Sequence, residues 1–201
     1  EIVNGLVGSE MCIRDSGLDG LAGLVSLLAS VFFGILFYYS GNIPLSLLAF
    51  VLSGTMLGFI FFNFYPARVF MGDAGSLAIG SIFCVLSINS INESYLLAPI
   101  WIQTLNKAVL AMSILAYPLI DTLRVFTKRI LSGVSPFTPD KNHIHHLLLN
   151  IGCTHGKATK IIILFSLLLT SIAYCLRENQ TISFVIPVLL TIIVSYIPSL
   201  I

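Results

Sequence analysis

Four carboxylates and a cluster of imidazoles are the side chains of this 201-residue sequence best suited to chemistry. Asp19 sits in Gly17-Leu18-Asp19-Gly20-Leu21-Ala22-Gly23, at the start of a long apolar run. It reads either as an acid favoured by the dipole at a helix start or as a surface carboxylate whose glycines let a ligand or a neighbouring backbone come close. Asp73 lies in Phe70-Met71-Gly72-Asp73-Ala74-Gly75-Ser76 between two apolar runs. It can cap the helix that follows, hold Mg²⁺ through hard oxygen ligands beside a bound phosphate, or do both. Asp121 falls near the end of another apolar run, where an ionisable group is a functional candidate. A pair with Arg124 at i,i+3 explains it equally well. His143, His145 and His146 follow Ser135-Pro136-Phe137-Thr138-Pro139-Asp140-Lys141-Asn142. A soft-metal site would want further ligands at suitable spacing, and only Cys153 and His155 are near. A solvated loop with incidental histidines is a second reading. The favoured one is imidazoles, with Lys141, meeting an anionic and phosphorylated ligand.

The elements that must position these groups belong to a bilayer. Hydrophobic residues make up 57% of the chain and charged residues 9%, with mean hydropathy +0.99; a soluble domain carries roughly 25% charged residues. A formal net charge of +1 gives no basic face for phosphate backbones, which argues against nucleic acid. Cys12, Cys84, Cys153 and Cys175 show no C-x-x-C spacing and read as reduced packing residues. No secretory signal and no initiator Met is visible at Glu1.

Apolar runs at about 18–39, 43–64, 74–91, 108–126, 159–176 and 181–200 match the ~20 residues a spanning helix needs. The expected fold is all-α: a polytopic transmembrane bundle of about six spans, forming one integral-membrane domain over residues 1–201. Placing Asp19 on the cytoplasmic side puts Arg14, Arg68, Arg124, Lys128, Arg129, Lys141, Lys157 and Lys160 there, with only Lys107 and Arg177 opposite. That is the positive-inside bias of a plasma-membrane protein. The same topology gathers Asp19, Asp73, Asp121, Asp140 and the His-rich loop on one face, although none of these entered the orientation argument. A transporter would instead show charged or broken helices near the midplane, and a scaffold without chemistry leaves the acidic and His motifs unexplained.

Together, Phe70–Ser76, Pro118-Leu119-Ile120-Asp121-Thr122, Ser135–Asp140 and His143-Ile144-His145-His146, with Asp19-Gly20-Leu21-Ala22-Gly23 as a shorter match, resemble the polyprenyl-phosphate N-acetylhexosamine-1-phosphate transferases. The matches run in family order from Gly17 onward, and His-Ile-His-His resembles the N-acetylglucosamine-1-phosphate branch. The resemblance implies transfer of a sugar-1-phosphate from a UDP-N-acetylhexosamine to polyprenyl (undecaprenyl) phosphate. UMP is released, and Mg²⁺, or Mn²⁺ in its place, is required. By the same resemblance Asp73 is the metal ligand and Asp19 a second catalytic carboxylate. His143, His145 and His146 line the phosphate site, Lys141 and Asp140 support the loop, and Asp121 is a substrate-binding candidate. A bacterial inner-membrane location with the active face cytoplasmic follows, and there is room for a homodimer.

Two departures qualify this expectation. The family's earlier Asp-Asp loop would lie before Glu1, so the chain is expected to be a C-terminal portion, inactive alone. The family's Asn-x-x-Asn-x-x-Asp-Gly-x-Asp-Gly stretch is also broken: Ile13 and Ser16 stand where Asn and Asp belong, and Asp15 is one place out of register. Residues 7–16 are expected to be foreign to the site, either an artefact or an insertion.

Overall fold

A computed structural model describes residues 20–93, 99–103, 107–133, 135 and 143–196. Asp19, Asp140, Lys141 and the 7–16 stretch lie outside these residues, as does the side chain of Asp73.

Among the described residues every regular element is a helix. In chain order they are α1 (Leu21–Ser40), α2 (Ile43–Asn63), α3 (Gly72–Asn92), α4 (Ile100–Gln103), α5 (Lys107–Ile114), α6 (Ala116–Leu131), α7 (Ile144–Asn150), α8 (His155–Cys175) and α9 (Gln180–Tyr196). Helices α1, α2, α3 and α8 are long and apolar enough to cross a membrane, α5 and α6 together make a fifth, broken candidate, and Thr181–Val194 is a shorter apolar helix. This agrees with about six apolar runs.

The α1–α2 hairpin shows how the sequence builds such an element. Gly41 takes φ 82° to close α1, a left-handed conformation that glycine adopts without steric cost. Asn42 then accepts a hydrogen bond from Leu45 N (3.2 Å) and caps α2. Small residues bring the two helices close: a Cβ on Gly23 would sit 2.7 Å from Ile60, and one on Gly34 would sit 2.8 Å from Phe50. The Ser46 hydroxyl donates across the interface to the Gly34 carbonyl (3.0 Å), the kind of small-residue and hydroxyl contact by which helices associate in lipid. The close approach at Gly23 is therefore made by a neighbouring helix.

Helix α1 is the central staff, with 56% of its apolar window buried against 17% for α3. Phe33 and Phe37 of α1 are fully enclosed among Leu52 and Met56 of α2, Phe83 and Leu86 of α3, and Leu110 and Ile114 of α5. A second cluster at the end that carries the histidines joins Leu21, Tyr117, Ile144, Ala158 and Ile162. Outward faces are apolar: Leu47, Val51 and Leu57 are each 58% exposed and Phe61 82%. Water would not tolerate that much contiguous apolar surface, whereas lipid tails provide a matching solvent. The chain is a membrane protein.

The expected span at 108–126 is bent. Helices α5 and α6 meet at Leu115 with an angle of 67° between them. Pro118 sits in the first turn of α6, where a missing N–H costs no intrahelical bond. The chain can thus start a new helix there without breaking the apolar run.

Candidate functional site

The site assembles around Asp121. Its carboxylate is buried and accepts from three directions: Arg124 Nη2 at 3.1 Å, His143 Nδ1 at 2.9 Å and the backbone N–H of Ile144 at 3.0 Å. Facing a guanidinium and an amide N–H, the carboxylate acts as acceptor, so the Nδ1 of His143 carries the hydrogen. Ile144 is the first residue of α7, so Asp121 caps that short helix from another element. Arg124 is buried on the same face one turn further along α6. The Arg124 pair expected from the i,i+3 spacing forms, and the same carboxylate also holds the histidine segment. Its oxygens are already occupied, which argues against direct substrate binding.

The three candidate histidines are brought together. The rings of His143 and His145 stack with centroids 5.5 Å apart, and those of His145 and His146 lie 4.3 Å apart. His145 is 9% exposed and its Nε2 has no hydrogen-bond partner. Burial pushes its imidazole down to about 4, with the neighbouring His146 and His143 adding to the effect. At neutral pH it is an uncharged ring with one N–H to donate.

His145 faces a cavity of about 680 Å³ whose wall runs from Leu21 and Ser76 through Gly80, Phe83 and Met112 to Ile91. The lining is apolar over most of its length. Asp121, Tyr117 and His145 line it together, and Ser26, Ser76, Ser87 and Thr122 add hydroxyls elsewhere on the wall. The Tyr117 hydroxyl is buried there without a partner. Buried polar groups are normally satisfied; Tyr117 and His145, and the Ser87 hydroxyl further along the wall, are the lining groups left to meet a polar ligand atom.

Asn63 links the other two motifs. Buried at the end of α2, it accepts from Gly20 N (3.0 Å) and donates through Nδ2 to the Val69 carbonyl (2.7 Å). Gly20 adjoins Asp19, and Val69 opens the segment leading to Asp73, which is the second residue of α3. Backbone flanking both acidic motifs is thus tied together, and Leu21, Met71 and Ser76 bring those motifs to the cavity that His145 also lines. Sequence reasoning passed over Asn63 and Tyr117. A lone amide inside Phe61-Phe62-Asn63-Phe64 was the available signal, because a polar group in such a run must find partners.

No group of three metal-ligating side chains occurs among the described residues. Mg²⁺ is usually held by one or two carboxylates together with substrate phosphates and water. Imidazoles suit softer metals, so a hard cation would call on carboxylates rather than on the histidine cluster. Cys84, Cys153 and Cys175 are free thiols; Cys84 and Cys175 are exposed rather than packed inside.

Comparison with known proteins finds related sequences. Residues 15–91 match glycosyl transferase family 4. The chain is 33% identical over 162 residues, 81% of its length, to a probable undecaprenyl-phosphate N-acetylglucosaminyl 1-phosphate transferase of Bacillus subtilis, of which it covers 43%. It is 37% identical over 160 residues, 74% of its length, to a decaprenyl-phosphate N-acetylglucosaminephosphotransferase of Mycolicibacterium smegmatis, covering 39% of that protein. Against the undecaprenyl-phosphate alpha-N-acetylglucosaminyl 1-phosphate transferase of Escherichia coli K12 it is 33% identical over 161 residues, 78% of the chain and 41% of that enzyme. The chain thus spans about two fifths of the length of these relatives. No solved structure matches it. Motifs, helices and relatives thus agree in likening the chain to glycosyl transferase family 4, whose model matches residues 15–91.

Proposed function

We propose that this chain forms the lipid-acceptor and phosphate-handling part of a transferase that moves N-acetylhexosamine-1-phosphate from a UDP-sugar to polyprenyl phosphate. The supporting observation is the cavity of about 680 Å³, mostly apolar in its lining and bordered by His145, Tyr117 and Asp121. A polyprenyl tail would lie along the apolar lining and its phosphate beside His145 and Tyr117.

In the reaction, an oxygen of the lipid phosphate attacks the sugar-bearing phosphorus of the UDP-sugar. One P–O bond forms and the P–O bond to UMP breaks. A phosphate monoester is largely dianionic at pH 7, so the nucleophile needs no base to remove a proton. The task is to bring two anions together and stabilise the charge that develops between them. His145 donates its single N–H to a phosphate oxygen. His143, gripped through Nδ1, presents its other ring edge, and the Tyr117 hydroxyl adds a donor. Mg²⁺, held by Asp73 and with Asp19 as the second carboxylate the resemblance implies, would supply charge neutralisation when bound.

The polar groups gather at one end of the bundle, which suits a surface reaction better than the midplane site of a transporter. The bend between α5 and α6, the one helix break of this kind among the described residues, lies beside Tyr117 at that polar end. The eight-to-two bias of basic residues supports a cytoplasmic setting for that end. In the complete enzyme, Asp73→Asn is expected to abolish UMP release while membrane insertion stays normal. Unchanged activity would remove Asp73 from the metal role and overturn this assignment.

A further inference from the structure

Two turns that close on themselves meet ring to ring beside the candidate site. The first follows α2. There the Arg68 N–H donates to the Phe62 carbonyl (2.8 Å) and Asn63 Nδ2 to the Val69 carbonyl (2.7 Å), so residues 62–69 form a closed loop that leads on to Asp73. The second turn joins α7 to α8. Its Gly152 N–H donates to the Leu149 carbonyl (2.9 Å) and its Cys153 N–H to the Leu148 carbonyl (3.1 Å). Leu148, Leu149 and Cys153 pack on the cluster that holds Ile144 and Ala158, so this turn moves with the helix that carries His145.

Tyr65 of the first loop meets His155, the first residue of α8. Their rings stack with centroids 5.6 Å apart and 20° between the planes. Tyr65 is 58% exposed, more than a core side chain would be. The Nδ1 of His155 is buried without a hydrogen-bond partner, so packing rather than a polar bond holds that edge of the ring. His155 is also near enough to His145 to oppose a charge on it.

What the pair does follows from what each turn carries. The loop after α2 is already closed by its own hydrogen bonds, and Tyr65 adds little to the core. The remaining effect of the stack is to fix one closed turn against the other. We infer that Tyr65 and His155 form a clasp that sets the spacing between the Asp73 loop and the His145 segment, which makes both of them positioning residues for the transfer step. The inference rests on the proposed transferase reading, in which a diphosphate near Asp73 and a lipid phosphate near His145 must come within reacting distance. Small displacements between such groups are costly in rate.

Hydrogen exchange of the complete enzyme in nanodiscs tests the clasp without the reaction. Tyr65→Leu should speed exchange across residues 151–157, and His155→Leu across 64–71, each by about fivefold, the equilibrium worth of an aromatic pair. Exchange that rises only around the substituted residue overturns the clasp. Steady-state kinetics test the positioning. In either variant kcat should fall on the order of tenfold while KM for each substrate stays within about twofold. Tyr65→Phe keeps the ring and should match the native enzyme in both measurements. The double variant should lose no more than the worse single one, since coupled residues are not additive. A raised KM for the UDP-sugar in both Tyr65→Leu and Tyr65→Phe would make Tyr65 a substrate contact, and additive losses would give the two rings independent roles; either result overturns the inference. Native kcat in Tyr65→Leu overturns it as well, and if Asp73→Asn is inactive in the same assay, the transferase reading stands without it.

Discussion

The Nδ1 of His143 lies 2.9 Å from Oδ2 of Asp121, although 22 residues separate them. The other oxygen of that carboxylate receives Arg124 and the Ile144 N–H, so one side chain joins helix α6 to the start of α7. Asp121 is thus a positioning residue: it acts through His143 and the helix that carries His145.

Removing that charge separates folding from positioning. Asp121→Asn leaves the Arg124 guanidinium buried without its carboxylate, a loss that typically costs about 3–5 kcal/mol. Unfolding of the purified protein in detergent should show it. Transferase activity of the complete enzyme should fall on the order of 100-fold, because small displacements of catalytic groups cost that much. The double variant Asp121→Leu/Arg124→Leu replaces the ion pair by apolar side chains, which is often neutral or stabilising. It should recover stability and leave activity low; recovery of both would show that Asp121 only supports the fold.

Acid should weaken the site through His145. Its folded value of about 4 lies below the ordinary value near 6.5, so the unfolded chain binds the proton more readily between those limits. Stability from this residue is fully present above about pH 6.5 and declines as pH falls toward 4, by roughly 3 kcal/mol in total. His143 and His146 oppose a charge on His145, Asp121 favours it, and His155 opposes it weakly. Thermal unfolding should show a midpoint that falls between pH 7 and pH 4.5 in the native protein. In His145→Gln that slope should flatten, and an unchanged slope would place the titration elsewhere.

Asn63 carries a long-range tie between the acidic motifs. Asn63→Leu loses the acceptor for Gly20 N and the donor to Val69 O in a buried setting, at about 1–3 kcal/mol for each group left unpaired. Asn63→Asp keeps the acceptor but turns a carboxylate oxygen onto the Val69 carbonyl in a buried setting, which is costly unless the carboxyl is protonated and donates. Protease sensitivity near the start of α1 should therefore rise in both variants at neutral pH, and in Asn63→Asp it should fall back toward native at acid pH.

What was legible in the sequence follows from range. Apolar runs announced the long helices because hydropathy is local, and Arg124 beside Asp121 was visible at helical spacing. Hydropathy passed smoothly over the break at Leu115, however, where neither side of the bend becomes polar; Pro118 was the only local mark of a new helix. The Asp121–His143 contact and the two bonds of Asn63 join segments with no shared period, so only the folded chain reveals them. The histidines were identified as a group, but their division of labour depends on burial: His143 is bound to Asp121 while His145 faces the cavity.

The cavity makes the most direct substrate prediction. A side chain added at Gly80 meets no atom within 4 Å at its Cβ, yet Gly80 lines the cavity well away from the histidines in sequence. Gly80→Leu should therefore fill cavity space without straining the helix, and leucine is the better helix former. If the polyprenyl tail lies there, KM for polyprenyl phosphate in the complete enzyme should rise on the order of tenfold, a typical effect of altered volume in an apolar pocket. KM for the UDP-sugar should hardly move, since a soluble nucleotide has no use for the apolar wall. Steady-state kinetics with each substrate varied in turn would separate the two. Equal rises in both constants would point to general distortion, and no change in either would place the lipid tail outside this cavity.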